Sequence, residues 1–214
     1  MNISENVHKI LSEIPPEVTL VAATKMNDAA RVREAIAAGV RICGENRVQE
    51  MVEKSRAGAY EGAELHFIGH LQKNKVKSVV GLASLIQSVD SLELMEVISR
   101  AALARGIVQD VLLEVNIGQE AAKSGFSEDG VWEAVEAVPA GLRVRGLMCI
   151  PPIGEKGPLF ARMNKLFVDI KAKKYDNNSM DFLSMGMSHD YLSAIEHGAN
   201  MIRVGSGIFG PRIT

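Results

Sequence analysis

This sequence has few aromatic residues, few cysteines and almost no excess of either charge. Only 5% of the residues are Phe, Trp or Tyr, and 24 basic residues nearly balance 26 acidic ones, for a formal net charge of −2. Binding to nucleic acid or to an anionic membrane surface needs a basic surplus that is lacking here. Two cysteines, Cys43 and Cys149, are too few for a disulfide framework and suit a reducing compartment. We therefore expect neither a nucleic-acid nor a membrane partner.

Long hydrophobic and low-complexity segments are also missing. The longest stretch without a charged residue runs only from Ser78 to Val89, which is too short to cross a bilayer. The N-terminal segment includes Glu5, Lys9 and Glu13 and no apolar run, so it is not a signal peptide. The 47% share of hydrophobic residues is that of a globular protein with a full core. These features predict a cytoplasmic protein whose residues 1–214 form a single domain.

Short apolar runs alternate with amphipathic helical patterns along the chain. Polar residues typical of helix N-caps follow several of these runs, among them Asp28, Asn46, Ser91 and Ser127. Eight strands, each followed by a helix or turn, predict an α/β fold, a single (β/α)8 TIM barrel. A doubly wound open sheet is the competing layout, because strand count alone does not close a barrel. The predicted strands are Val18–Ala23, Val40–Cys43, Leu65–Ile68, Leu85–Val89, Val111–Val115, Val144–Ile150, Met180–Ser184 and Met201–Val204.

Lys25 is the first candidate functional residue, because chemistry in such barrels lies at the C-terminal ends of the strands. It follows the uncharged run Val18–Thr24 and precedes a helix, so its ammonium is expected at the barrel mouth beside apolar walls. Desolvation there lowers the pKa of an amine, and a deprotonated amine can attack a carbonyl. The alternative is a structural lysine that extends to solvent or pairs with Glu45.

The loops after the last two predicted strands are rich in small residues. SMGMS (Ser184–Ser188) and GSG (Gly205–Gly207) offer hydroxyls and free backbone N–H groups. Loops at these two positions commonly hold a phosphate in TIM barrels. The alternative is ordinary turn chemistry, since glycine is common in loops between strands and helices.

Arg203 lies inside the eighth predicted strand, where a charged side chain must point into the barrel mouth and find a partner. It could lie along a ligand whose phosphate is held near Gly205, or form a salt bridge across the barrel interior. An amine, an anion site and an arginine together suit a phosphorylated aldehyde or ketone. Two ligands fit this description, a phosphosugar and pyridoxal 5′-phosphate (PLP), and the residues alone do not choose between them.

Several motifs are long enough to be specific to a family. They are AATK (Ala22–Lys25), GEN-VQE (Gly44–Glu50), HFIG-LQ-NK (His66–Lys75), LMCIPP (Leu147–Pro152), SMGMS-D (Ser184–Asp190) and IRVGSGIFGPR (Ile202–Arg212). Together they resemble the pyridoxal-phosphate homeostasis protein family, also called the proline synthase co-transcribed homologues. Members of that family are similar to the barrel domain of bacterial alanine racemase. The resemblance covers nearly the whole chain.

The resemblance implies a PLP-binding barrel of fold type III, in which Lys25 carries PLP as a Schiff base. By their positions in the motifs, Ser188, Gly205 and Ser206 would hold the phosphate, and Arg203 would face the pyridine nitrogen. An arginine does not give up its proton, so the pyridine nitrogen would stay unprotonated. PLP would then be a weaker electron sink, which makes carbanion chemistry harder.

The same resemblance places Asn46 near the pyridine ring. Lys123, in the KSG motif, is similar to a family lysine that takes part in cofactor handling, and an exposed loop lysine is the alternative. The sequence departs from the family at two positions, where Ala23 replaces a usual serine and Ser206 a usual threonine. Ser206 retains the hydroxyl, so we expect phosphate binding to be preserved.

A role in intracellular PLP and amino-acid homeostasis follows from the resemblance, with PLP-dependent apoenzymes as recipients. We expect little or no catalysis, because racemisation needs a second proton donor and none of Tyr60, Tyr175 and Tyr191 is expected at the mouth. We expect no second domain after the predicted barrel, and therefore a monomer. The alternatives are a PLP-dependent, racemase-like enzyme and a Schiff-base lyase for a phosphosugar. No metal site is expected, since four residues on an extended strand would separate His66 from His70 by about 13 Å.

Overall fold

Eight parallel strands and the helices between them make up most of the chain. The computed structural model describes residues 2–120, 123–152, 154, 156–173, 175 and 178–211. The strands in these residues are β1 (Thr19–Ala23), β2 (Ile42–Glu45), β3 (Glu64–Phe67), β4 (Leu85–Val89), β5 (Gln109–Glu114), β6 (Leu142–Met148), β7 (Asn178–Ser184) and β8 (Met201–Val204). The helices are α1 (Ile3–Glu13), α2 (Ala29–Ala37), α3 (Val48–Arg56), α4 (Val76–Val79), α5 (Leu92–Leu103), α6 (Glu128–Glu136), α7 (Gly157–Lys173), α8 (Tyr191–Glu196) and α9 (Ser206–Phe209).

Pairing between the first and last strands closes the sheet. Each strand pairs in parallel with the next along the chain, and β8 pairs with β1, where Leu20 lies opposite Ile202 and Val21 opposite Arg203. The predicted (β/α)8 TIM barrel is thereby confirmed, and the open doubly wound sheet is wrong. Because all strands run the same way, their C-terminal ends meet at one rim.

The predicted strand positions agree well with the observed ones, and β4 and β8 have the same bounds. The second strand differs from its prediction. We predict that it begins at Val40, but it begins at Ile42. Gly39 has a φ of +118°, and the Val40 N–H donates to the Ala35 carbonyl 3.1 Å away, so Val40 completes the C-terminal cap that follows α2. Hydrophobicity alone does not distinguish an apolar residue that completes a helix from one that starts a strand.

Side-chain caps begin three of the helices as predicted. The Asp28 carboxylate accepts from the Arg31 N–H at 2.9 Å at the start of α2. Ser91 and Ser127 accept from backbone amides in the same way at the starts of α5 and α6. Such caps satisfy backbone donors that the first helical turn leaves without a partner. They therefore fix where each loop ends and its helix begins.

The prediction that Asn46 caps the third helix is wrong. Helix α3 begins at Val48, Arg47 occupies the cap position, and no side chain closes a hydrogen bond there. The backbone at Asn46 is in close contact with the segment after β3, since a Cβ at Gly69 would lie 2.1 Å from the Asn46 carbonyl oxygen. The main chain is thus held in place by packing, and the Asn46 side chain is left for other contacts.

Two apolar layers surround the strands. The larger layer lies between the strands and the helices, and α7 contributes Met163, Leu166, Phe167 and Ile170 to it, as its periodicity predicts. A smaller layer fills the inside of the barrel, so the barrel is a packed core. Its buried residues are Val21, Ile68, Leu85, Leu112, Met148 and Met201.

Cys43 and Cys149 are both buried and free, and burial raises the pKa of each thiol to about 12.

Within the described ranges, no helix is both long enough and apolar enough to cross a membrane. Over the same ranges, no three His, Cys, Asp or Glu side chains come together as a metal site.

Gly146 marks an irregular point in the barrel wall, where the register of β6 shifts against both of its neighbours. Its φ is +149°, and a Cβ there would lie 1.8 Å from the carbonyl oxygen of Phe182. The overlap is with backbone, so no rotation of a side chain can relieve it.

We expect Gly146→Ala to lower the free energy of unfolding by more than about 2 kcal/mol, because the strand must move to admit the methyl group. Urea denaturation followed by circular dichroism measures the change. The control is Gly157→Ala in the first turn of α7, where a Cβ would lie 3.5 Å from His197, an ordinary contact. Equal stability of the two variants would contradict this account of the barrel wall.

Candidate functional site

Lys25 lies in the turn that follows β1, at the C-terminal rim of the barrel. The preceding Thr24 still bonds to the neighbouring strand and donates its N–H to the Gly44 carbonyl at 2.9 Å. On the other side, the Asn27 side-chain amide donates to the Lys25 carbonyl at 3.0 Å. The turn is therefore anchored on both sides of a half-buried lysine.

Ser188 and the loop after β8 come together on the same rim. The Ser188 hydroxyl oxygen accepts from the N–H groups of Gly205 and Gly207, each at 3.2 Å. Ser206 lies between these glycines, is exposed, and is the first residue of α9. Hydroxyl and N–H groups from the last two loops thus converge on one small region, an arrangement that suits an anion.

Gly205 lies beside the end of β1. A Cβ at Gly205 would lie 3.4 Å from the Cβ of Ala23, which is two residues before Lys25. At Gly207 a Cβ would lie only 2.8 Å from a methyl group of Val204. The lysine turn and the Ser188 region are consequently neighbours on the rim.

Arg31 on α2 provides a second link between the two parts of the rim. Its Nε donates to Asn27 Oδ1 at 2.9 Å, and its Nη2 donates to the Phe209 carbonyl at 2.5 Å. Since Asn27 also bonds to Lys25, the end of α9 is connected through two side chains to the main chain of the lysine.

Arg203 is buried inside the barrel and only 4% exposed. Its Nη1 donates to Ser184 Oγ at 2.6 Å, and its Nη2 donates to the Cys149 carbonyl at 2.9 Å. Both acceptors are neutral, so these contacts are not the salt bridge across the barrel interior that was one of the two sequence-based alternatives for Arg203. Burial lowers the pKa of the Arg203 guanidinium, and the negative charge of Glu114 opposes that shift.

A chain of buried hydrogen bonds runs from Arg203 across the barrel. Because arginine only donates, Ser184 Oγ accepts from it and donates its own proton to Gln87 Oε1, 2.7 Å away. The Gln87 amide nitrogen then donates to His66 Nδ1 at 2.9 Å, so the proton of the neutral imidazole lies on Nε2. Burial lowers the pKa of His66 from 6.5 to about 4, which keeps the ring neutral at pH 7. The fixed charge of Arg203 thus sets the direction of every bond in the chain.

A cavity of about 310 Å³ lies on the rim beside the ends of β2, β3, β5 and β6, and Asn46, Glu114 and Lys123 contribute to its lining. Asn46 Oδ1 is buried and has no hydrogen-bond partner among the described residues. Burial, assisted by the negative charge of Asp90, raises the pKa of Glu114 to about 7, against the opposing charges of Arg203 and Lys123. The cavity therefore combines an unpartnered acceptor with a carboxyl group that titrates near neutral pH.

Lys123 lies in the loop after β5 at the edge of this cavity. Its side chain is 39% exposed and pairs with Glu120 Oε1 at 2.5 Å. It is therefore a loop lysine that lines the cavity, and a part in cofactor handling stays a prediction. Arg212, the last residue of the final motif, lies outside the described residues.

Sequence reasoning missed Glu114 and a group of charged residues behind the Lys25 turn. Glu45, considered above as an ion-pair partner for Lys25, bonds to Lys54 at 2.7 Å, and Lys54 lies 3.3 Å from Glu50. Two signals were available. Glu50 and Lys54 have the i,i+4 spacing of a helical ion pair, and Glu114 ends an apolar strand at the rim.

Comparison with known proteins identifies the family. The profile for the alanine racemase N-terminal domain matches residues 1–212. A pyridoxal phosphate homeostasis protein of Aquifex aeolicus is 38% identical over 99% of both chains, and one of Escherichia coli K12 is 38% identical over 92% of this chain and 87% of its own. The chain belongs to the pyridoxal phosphate homeostasis protein family. The resemblance of its motifs is thereby confirmed.

Solved structures of similar proteins share the barrel. PipY from Synechococcus elongatus PCC7942, solved without PLP, is 34% identical with a TM-score of 0.91, covering 97% of this chain and all of its own. The PipY structure with PLP bound is 33% identical with a TM-score of 0.88 over the same shares. An alanine racemase of Clostridium difficile 630 is 15% identical with a TM-score of 0.79 over all of this chain and 57% of its own, which shows a common fold alone.

The neutral state of His66 predicts a pH-dependent stability. The unfolded imidazole takes up a proton below pH 6.5, whereas the folded protein excludes it down to about pH 4, so stability falls as the pH drops through this window. Between about pH 7 and pH 5 we expect His66 to remove about 2 kcal/mol from the free energy of unfolding. Urea unfolding at both pH values should show that the free energy of unfolding of His66→Gln falls by about 2 kcal/mol less than that of the wild type.

The matched control is His8→Gln, which replaces an exposed imidazole on α1 and should keep the wild-type pH dependence. If His66→Gln lost as much stability between the two pH values as the wild type, the buried neutral imidazole would be refuted.

Proposed function

We propose that this protein binds PLP at the C-terminal rim of the barrel, holds it covalently through Lys25, and takes part in PLP homeostasis. The contact between Gly205 and Ala23 carries the proposal, because it brings the lysine turn beside the Ser188 hydroxyl and the N–H groups of the last loop. The related PipY has been solved with PLP bound, and the named relatives are PLP homeostasis proteins.

The residues on this rim suit the chemical parts of PLP. Ser188, Gly205 and Ser206 would hold the phosphate, since their hydroxyl and N–H groups lie together in one region of the rim. Arg203 would face the pyridine nitrogen, because the described contacts use two of its five N–H donors. Asn46 would lie near the ring, where its buried and unpartnered Oδ1 can accept from the phenolic hydroxyl.

The described residues favour holding the cofactor over carbanion chemistry. When bound, PLP supplies an aldehyde for an amine and a ring that withdraws electrons. Arg203 keeps its own proton, so beside the pyridine nitrogen it would leave that nitrogen unprotonated and weaken the withdrawal of electrons. The buried bonds to Ser184 and Cys149 hold Arg203 in one orientation, which keeps this effect constant.

The tyrosine hydroxyls also support a carrier. Each of Tyr60, Tyr175 and Tyr191 donates its hydroxyl to a glutamate. Burial, with the nearby charge of Glu45, raises the pKa of Tyr60 far above its ordinary value, so it holds its proton firmly. We therefore propose that the protein binds PLP reversibly and delivers it to PLP-dependent apoenzymes.

We propose that residues 1–214 act as one domain and as a monomer in the cytoplasm. The two buried, free thiols of Cys43 and Cys149 support a reducing compartment.

Borohydride reduction of the PLP-loaded protein, followed by peptide mapping, should place the pyridoxyl label on Lys25. Lys25→Ala should lose both the label and the visible absorption band, because the amine that holds the cofactor is gone. Lys77→Ala, which alters an exposed lysine on α4, is the control and should retain both. A label on another lysine would refute the assignment, and trapping of a phosphosugar in place of PLP would favour the lyase.

The carrier proposal predicts that the holoprotein forms no steady D-enantiomer from single L-amino acids. The physical reason is the absence of a phenol free to act as second acid within the described residues, since all three tyrosines are engaged. Chiral chromatography measures the product, with a bacterial alanine racemase assayed alongside. Steady turnover that disappears in Lys25→Ala would overturn the carrier and leave the PLP site in place.

A further inference from the structure

A partly buried ion cluster lies directly behind the turn that follows β1. We call it the Glu45 cluster, and it consists of Glu45 at the end of β2, Glu50 and Lys54 on α3, and Tyr60. Glu45 is fully buried, and its Oε1 accepts from Lys54 Nζ at 2.7 Å, from Tyr60 OH at 2.9 Å and from Thr24 Oγ1 at 2.6 Å. Three donors thus meet at one carboxylate oxygen, and one of them belongs to the residue before the rim lysine.

The Glu45 cluster also binds the main chain on both sides of Lys25. On the N-terminal side, Lys54 Nζ donates to the Thr24 carbonyl at 2.8 Å. On the C-terminal side, the Met26 N–H donates to Glu50 Oε2 at 2.8 Å. Because Glu50 and Lys54 are themselves 3.3 Å apart, one ion pair holds both neighbours of the lysine.

Met26 adopts a backbone conformation that needs such support. Its φ is +61°, in the left-handed region that is unfavourable for any residue with a Cβ. Its side chain is 58% exposed, so side-chain packing does not account for the conformation. The hydrogen bond from its N–H to Glu50 favours the turn, and without that bond we expect the turn to relax and redirect the Lys25 side chain.

Stability alone does not account for the Glu45 cluster. Buried ion pairs add little net stability, because the loss of hydration offsets the attraction between the charges. Glu45 Oε2 is also buried and has no hydrogen-bond partner within the described part of the chain, which makes the cluster more costly. A cluster of this kind, bonded to the two neighbours of one lysine, is suited to orienting that lysine.

We propose that Glu50 and Lys54 are positioning residues, which hold the Lys25 turn in the orientation from which its amine meets PLP. The inference rests on the proposed function for the identity of the ligand. Burial opposes ionisation of Glu50, but the Met26 N–H and Lys54 outweigh it and hold the pKa of Glu50 below its usual value. The carboxylate is therefore charged at physiological pH and bonds both groups.

The first experiment measures PLP binding by the visible absorption band. Glu50→Ala removes the acceptor for the Met26 N–H and leaves the Glu45–Lys54 pair in place, so we expect a folded variant whose PLP dissociation constant rises about tenfold. Glu50→Gln retains an oxygen acceptor and should stay within about threefold of the wild type. The control is Glu53→Ala, which changes an exposed carboxylate on the same helix and should match the wild type.

The second experiment tests the hold on the turn in the protein without PLP. Amide hydrogen exchange at Met26 should be about tenfold faster in Glu50→Ala, because the N–H has lost its acceptor. Reductive methylation of Lys25 by formaldehyde and cyanoborohydride, followed by mass spectrometry, should be about threefold faster, since a relaxed turn lets the half-buried amine reach solvent. Glu53→Ala should change neither rate.

Met26 exchange and Lys25 methylation at wild-type rates in Glu50→Ala would overturn the inference. An unchanged PLP dissociation constant in a variant with a loosened turn would also overturn it, as would a Glu50→Gln variant as impaired as Glu50→Ala. A wild-type protein that binds no PLP would refute the proposed function instead. In that case, the two rates measured without PLP decide alone whether Glu50 holds the turn.

Discussion

The contact between the last loop and the first strand is the constraint on which the rest of the site depends. Parallel pairing of β8 with β1 sets Arg203 opposite Val21 and lets Gly205 approach Ala23. In an open sheet, the first and last strands of this chain would not need to meet, and the lysine turn would be separated from the Ser188 region. Closure of the barrel therefore turns two distant segments into one rim that offers an amine beside a set of N–H and hydroxyl donors.

Charge organises the inside of the barrel and its rim in a consistent way. The buried guanidinium of Arg203 can only donate, so it orients Ser184 and, through the next two side chains, places the proton of His66 on Nε2. Burial keeps that ring neutral. On the rim, burial raises the pKa of Glu114 to about 7, although Arg203 opposes the shift. A permanent charge thus lies behind the site and a titratable one at its edge. Behind the lysine, the Glu45 cluster provides a third set of charges, which form hydrogen bonds to the main chain of the turn.

Much of the fold could be predicted because its signals are local. The caps at Asp28, Ser91 and Ser127 depend on residues only three positions apart, and the apolar periodicity of α7 depends on one helix. The wrong strand start at Val40 and the wrong helix cap at Asn46 have a common cause. Each residue type fits two local structures, and contacts with Ala35 and Gly69 select the observed one. Glu114 does end an apolar strand, but it was missed because that position alone does not show whether the carboxyl group lines the rim or faces solvent.

Local patterns along the chain are enough to predict the alternation of eight strands and their helices, and the residue types that follow each strand, including Lys25, Ser188 and Gly205. These properties depend on neighbours along the chain, which propensity and periodicity report directly. Three features appear only when separate elements pack together: the closure of the sheet, the hydrogen bonds from Glu50 and Lys54 to the lysine turn, and an Asn46 oxygen without a partner among the described residues. Each of these depends on distances between atoms of separate elements, and a hydrophobic pattern specifies which face of an element is buried but not which polar groups then meet.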